Sequence, residues 1–251
     1  MVFIHLAEGY EEVEALTCVD VLRRAGVDAK MVSVTGSLLV KGAHGINIEA
    51  DLLFEDADYD ACEMIVLPGG LPGATNLRDH AGLTARIKEF AKAGKPLAAI
   101  CAAPLALAAH GALEGKNATI YPGMEDHLEG AKPTGETATI DGSVITGMGP
   151  ALAMEFALAL VGFLKGEKTK KEVATGLLYD RIGEIELRCG AERENWKTRS
   201  FLWMNRIEKQ DALVSLRPTK KGFFTARFLY SFFGRFWLMN PTGRGLSTSS
   251  C

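Results

Sequence analysis

Cys101 ends the apolar, small-residue run Leu97-Ala98-Ala99-Ile100, and Ala102-Ala103-Pro104 leads at once into a helix-forming stretch. A strand that turns directly into a helix aims its turn residue out of the strand ends, as a nucleophile elbow does. Small neighbours suit such a turn because it is tight. A thiol there lies at a helix N-terminus, where the dipole and free N–H groups favour thiolate and lower its pKa. The plainer alternative is a cysteine packed inside a strand.

Two further segments carry chemistry of a matching kind. Leu67-Pro68-Gly69-Gly70 also ends an apolar run. Consecutive glycines let the backbone approach a ligand and turn its N–H groups toward an oxyanion; a plain strand–helix turn is the alternative. Glu8-Gly9-Tyr10-Glu11-Glu12-Val13-Glu14 opens a helix. Acidic residues in a first turn complement the helix dipole. A carboxyl buried in a crevice beside a cysteine would instead be raised in pKa and could donate a hydrogen bond to a thiolate.

The elements that would position these groups alternate. Val2–Leu6 reads as a buried strand and Glu11–Ala25 as a helix, with Val13, Leu16, Val19 and Leu22 three residues apart and Gly26 as the stop. Strands follow at Lys30–Val34, around Ile46 and Ile48, and at Met64–Leu67. Leu83–Ala93 is helical, Leu97–Cys101 a strand and Pro104–His110 a helix. Ala138–Ile140 and Ser143–Thr146 flank Asp141-Gly142, a two-residue hairpin signal. Pro150–Leu164 is an apolar helix with Pro near its first turn. Alternation of this kind predicts an α/β fold with a mostly parallel central sheet covered on both faces. Its ligand crevice lies at the carboxyl ends of the strands.

The chain has 251 residues, 47% hydrophobic and 24% charged, with a net charge of −3. This composition excludes wholesale disorder and a disulfide scaffold, and gives no global case for nucleic-acid binding. The five cysteines are odd in number and show no metal-like spacing, and no metal ligand set is read. The N-terminus lacks the basic region and cleavage site of a secretory signal. The expectation is a reduced, cytoplasmic protein.

Charge shifts near residue 180. Residues 1–179 hold 15 Lys+Arg against 24 Asp+Glu, net −9; residues 180–251 hold 13 against 7, net +6, with 11 of the 20 aromatics. We read a domain over 1–178 and a basic, aromatic-rich extension of unassigned fold over 179–251. Within the extension, Gly222–Met239 is apolar and aromatic but interrupted by Arg227 and Arg235. It is not read as a membrane span. A helix on a membrane surface, a helix docked on protein and an extension without a fold of its own stay open.

Four motifs in order, EGYEEVEALTCVDVLRRAG, IVLPGG with GATNL, AAICAAPLALAAHG and TGMGPALAMEFALALV, resemble the ThiJ/PfpI superfamily, in its DJ-one branch, over residues 1–178. The resemblance implies a flavodoxin-like sandwich, usually a homodimer, that needs no metal or nucleotide cofactor. It implies that Cys101 is the nucleophilic and oxidation-sensitive cysteine and Glu14 its protonated partner. Gly69, Gly70 and Ala102 would supply the oxyanion N–H groups, and Gly149-Pro150 would close the pocket. The activity implied is glyoxalase or protein deglycase chemistry on methylglyoxal or its early adducts, with a small aldehyde or a glycated protein as partner. The rival is a redox sensor or chaperone-like stress protein working through oxidation of Cys101.

This chain departs from the family pattern at some positions. Animal members have His where Tyr121 stands, which leaves Glu14 for proton transfer. Many relatives have an Arg near the pocket where His44 stands; His44 is either a polar pocket residue or a surface-loop histidine. The protease-like branch has His directly after the nucleophile, and here that residue is Ala102, which argues against a peptidase. No His follows His127, which argues against an amidotransferase. Cys18 and Cys62 read as packing residues and His110 as structural.

Overall fold

The computed structural model describes residues 1–182. The chain starts in β1 (Val2–Leu6), every residue of which is buried. It continues through α1 (Glu12–Arg24), β2 (Ala29–Ser33), the short strands β3 (Leu39–Lys41), β4 (Asn47–Glu49) and β5 (Leu52–Leu53), and β6 (Met64–Leu67). Helices α2 (Gly73–Asp79) and α3 (Ala81–Ala93) lead to β7 (Leu97–Ile100) and α4 (Pro104–Ala109). The two-residue strands β8 (Asn117–Ala118) and β9 (Lys132–Pro133) precede the hairpin β10 (Ala138–Asp141) and β11 (Val144–Gly147), and α5 (Ala153–Gly176) follows.

Seven strands form the main sheet in the order β10-β11-β7-β6-β1-β2-β5. All pairings are parallel except β10 with β11 at one edge. Right-handed crossovers place α1 and α5 together on one face, and α2, α3 and α4 on the other. This is the flavodoxin-like α/β sandwich that the alternation predicts. Its central strands are apolar without alternation because both faces are covered. The antiparallel pair β3–β4 stands apart from the main sheet, tied to the loop after β1 by the Gly9 N–H donating to the Lys41 carbonyl at 2.9 Å.

One polar group sits deep in this core. His5 is fully buried on β1, and its Nε2 lies 2.6 Å from the Tyr59 hydroxyl. Burial pushes the imidazole down to about 3, so it is neutral at ordinary pH.

Several expectations change in detail. Val19 and Leu22 are buried, but Val13 is 53% exposed and Leu16 is also exposed. The inward face of α1 carries Glu12, Glu14, Ala15 and Cys18 instead, because backbone N–H groups wait for the two carboxylates. The last helix begins after a 3-10 turn at Pro150–Leu152 and runs past Leu164 to Gly176, with a break at Gly166 (φ +83°). Cys62 lies just before β6 and is buried, as a packing residue should be. His110 is structural: its Nε2 lies 3.0 Å from Thr84 Oγ1 and 2.9 Å from the Arg78 carbonyl. The extension lies almost wholly outside the described residues, and its segment Gly222–Met239 entirely so. Among the described residues no helix is long and apolar enough to cross a membrane.

Candidate active site

The strand order reverses direction at β1 and β6, so the loops after β1, β6 and β7 open into one crevice at their carboxyl ends. Glu14 enters from α1, Gly69 and Gly70 follow β6, and Cys101 follows β7.

Cys101 has φ +63°, in the left-handed region that a residue with a Cβ adopts only when its surroundings impose it. Both sides of the residue are pinned. Its N–H donates to the Gly147 carbonyl at the end of β11 at 2.9 Å, and its carbonyl accepts from the Tyr121 N–H at 2.9 Å. The elbow expected from the small-residue run is therefore present, and α4 starts with Pro104 three residues on.

Glu14 is fully buried. Its Oε2 accepts the Gly69 N–H at 2.7 Å. Its Oε1 is buried without a conventional partner among the described residues, and so is the atom able to take a proton. Burial raises this carboxyl to about 7, against the Gly69 N–H and the Cys101 thiol, which favour the charged form; the nearby Glu11 adds a smaller rise.

Opposing influences meet at the thiol. Burial pushes Cys101 up to about 12, and the neighbouring Glu14 carboxylate adds to the rise. The Gly70 and Ala102 N–H groups pull the other way. Burial and the Glu14 charge thus act against the pull toward thiolate that the start of the six-residue α4 exerts. The site holds a thiol beside a carboxyl that titrates near neutrality, an arrangement for activating a nucleophile with an adjacent base.

The oxyanion set also changes. The Gly69 N–H is taken up by Glu14 Oε2 and so is not free to meet an oxyanion. Gly70 and Ala102 remain: neither N–H has a carbonyl acceptor among the described residues, and both act on the Cys101 sulfur. Gly70 has φ +84°, and a Cβ there would lie 2.6 Å from the Gly9 carbonyl oxygen, so glycine is needed twice over.

The remaining pocket candidates divide. Tyr121 is 47% exposed, and its ring lies over Gly149, where a Cβ would come within 3.3 Å of it. Pro150 follows Gly149 and opens the 3-10 turn before α5. His44 joins a different group. Its Nδ1 is 2.8 Å from Glu12 Oε2 and its ring is 68% exposed, which agrees with the surface-loop alternative. Sequence reasoning missed Glu11 and Glu12 as partners of His44; their identity was visible, but the loop that brings His44 to them was not.

Comparison with known proteins bears on this geometry. The model of the DJ-1/PfpI family matches residues 1–162. The chain is 40% identical over 179 residues to Protein DJ-1 homolog B of Arabidopsis thaliana, covering 70% of this chain but only 41% of that relative's length. It is 34% identical to the glutathione-independent glyoxalase DJR-1.2 of Caenorhabditis elegans, covering 64% of this chain and 87% of that one. Among solved structures, Toxoplasma gondii DJ-1 in an oxidized form superposes with a TM-score of 0.68 at 36% identity, covering 70% of this chain and 97% of that one.

Proposed function

The chain belongs to the DJ-1/PfpI family, and on that footing we propose that it is a cysteine enzyme of glyoxalase type, acting on methylglyoxal or its early protein adducts. The observation that carries the reading is Cys101, held at φ +63° beside a buried carboxyl raised to about 7. The glyoxalase relative in Caenorhabditis elegans supports it.

In this reading the Cys101 sulfur adds to the aldehyde carbon as its proton passes to Glu14 Oε1. The aldehyde oxygen becomes an oxyanion between the Gly70 and Ala102 N–H groups, then takes the proton from Glu14 to give a hemithioacetal. Glu14, again a carboxylate, moves a proton from the former aldehyde carbon to its neighbour through an enediol, while the hydroxyl proton passes to the former ketone oxygen. The product is a lactyl thioester. Water cleaves it to lactate and frees the thiol. Methylglyoxal and water thus become lactic acid with no external oxidant or reductant, and no residue in these steps needs a cofactor. A homodimer belongs to the same reading. Val13 on α1, with Leu39 and Ile46 on and beside the β3–β4 pair, gives it exposed apolar surface next to the loops that form the crevice.

Methylglyoxal consumption with lactate detection tests the assignment. Cys101→Ala is expected to lower turnover by on the order of 10⁴-fold or more while the protein stays folded. A folded wild type without turnover would remove the enzyme reading.

The oxidized Toxoplasma gondii structure favours a second use of the same thiol, as a redox sensor. Sulfenic and then sulfinic acid at Cys101 would place oxygen against the Gly70 and Ala102 N–H groups. Mild peroxide followed by mass spectrometry should then modify Cys101 ahead of Cys18 and Cys62, which are more deeply buried. Equal modification of all three counts against it.

A further inference from the structure

The strained turn at Cys101 hangs on two hydrogen bonds of different origin. The Gly147 carbonyl that accepts the Cys101 N–H at 2.9 Å ends β11, a strand of the main sheet. The Tyr121 N–H that donates to the Cys101 carbonyl comes from a stretch outside that sheet, since β8 just before it pairs with β9 in a sheet of two. Something must hold that stretch in register with β11. The tie nearest Tyr121 is made by a side chain. Two residues before Tyr121, the Thr119 N–H donates to Thr146 Oγ1 at 2.9 Å, and the bond is buried. This N–H has no carbonyl acceptor among the described residues. The Thr119 hydroxyl is buried without a partner among them, so at this point the stretch leans on Thr146. Asn117 and Ala118, further back, bond Asp141 and Thr134.

Thr146 is an unusual residue for its place. It is fully buried on β11, in register with Ala99 on β7 and Thr139 on β10. Valine has the same shape and suits a strand interior; a hydroxyl there is costly unless it is hydrogen-bonded. We propose that Thr146 is a positioning residue for the Cys101 nucleophile: its hydroxyl fastens the Thr119–Tyr121 stretch to β11, so that both hydrogen bonds on Cys101 are anchored in one strand. Cys101 stays at φ +63° only while its surroundings over-determine it. Adjacent residues of β11 serve its two sides, Gly147 directly and Thr146 through Thr119 and Tyr121. Without the Thr146 acceptor a buried N–H is stranded, and the stretch shifts to find another partner. The Cys101 carbonyl then loses its donor, and the turn relaxes away from Glu14 and from the Gly70 and Ala102 N–H groups. The assignment rests on the reading of Cys101 as the nucleophile.

The test compares wild type, Thr146→Val and Thr146→Ser in the full chain. Valine keeps the shape and removes the acceptor. Serine keeps the acceptor and, by losing a buried methyl, lowers stability on its own account. Amide hydrogen exchange, read residue by residue, reports on the elbow directly. In Thr146→Val, exchange at Tyr121 is expected to quicken about tenfold or more while the amides of β1 and β6 keep wild-type rates. Its kcat for methylglyoxal should fall about tenfold or more, with KM within about twofold of wild type. Thr146→Ser should stay near wild type in both readouts, wherever its urea midpoint falls. Unchanged Tyr121 exchange in Thr146→Val would overturn the proposal. Equal losses in the valine and serine variants would do the same, since they mark a general loosening of the fold, and so would faster exchange with undiminished kcat. A folded wild type without turnover would remove the enzyme reading instead, and exchange at Tyr121 would still decide whether Thr146 holds the elbow.

Discussion

Glu14→Gln lowers kcat/KM for methylglyoxal by about 10²–10⁴-fold and removes the pH dependence of the wild type near neutrality. Cys101 holds its proton up to about 12, so attack on an aldehyde needs a base in contact with the thiol. Glu14 is that base only when ionised, and burial raises its carboxyl to about 7. Wild-type kcat/KM therefore rises about tenfold per pH unit below that value and levels off above it. An amide of the same shape still accepts the Gly69 N–H but takes no proton, so the limb near pH 7 disappears.

Stability separates this role from a general loss of structure. The folded Glu14 pKa lies above the usual 4.5, so its contribution is fully present below about pH 4.5 and is lost as pH rises through 7. Glu14→Gln is free of that loss. Its urea midpoint should exceed that of the wild type at pH 8, with the margin shrinking toward pH 4. A variant that keeps full turnover, or keeps the limb near pH 7, would show that Glu14 is not the proton carrier.

The second large effect is at Gly69. Gly69→Ala should reduce turnover by about 10²-fold or more and cost about 1–3 kcal/mol of stability through overpacking. The added methyl would stand 2.7 Å from Cys101 Cβ, 2.8 Å from Glu14 Oε2 and 3.0 Å from the Ala102 nitrogen. Those three atoms belong to the nucleophile, the base and the oxyanion donor, so relief at any one displaces a working part. Gly176→Ala, where nothing lies within 4 Å of the new atom, is the control and should leave both turnover and the urea midpoint near wild type. Wild-type turnover in Gly69→Ala would mean that the three groups are not packed around this position.

What could be read beforehand was mostly local. The run from Leu97 to Pro104 announces a strand, a tight turn and a helix within eight residues, and the elbow follows from that. Met64–Leu67 is legible for the same reason, as a short apolar run closed by Pro and Gly. The allegiance of the Gly69 N–H was not legible, because it depends on a carboxylate 55 positions away in the chain. The face of α1 misled for a related reason. Apolar residues three apart point to Val13 and Leu16 as buried, but hydrophobic spacing is blind to backbone donors that draw Glu12 and Glu14 inward. At Cys101 two influences compete. Helix position and burial act in opposite directions, and only packing shows that burial is the larger. Strands β5, β8 and β9 have two residues each, too few to show any period.

Tyr121 holds the elbow through its peptide N–H, which bonds the Cys101 carbonyl, while its ring lies outward against Gly149. The two halves of the residue therefore answer to different demands. Any amino acid except proline can supply the N–H, so the side chain at this position can drift without loosening the nucleophile's strained turn. Position 121 is thus a place where the side chain can be exchanged while the turn beneath it keeps its hydrogen bond.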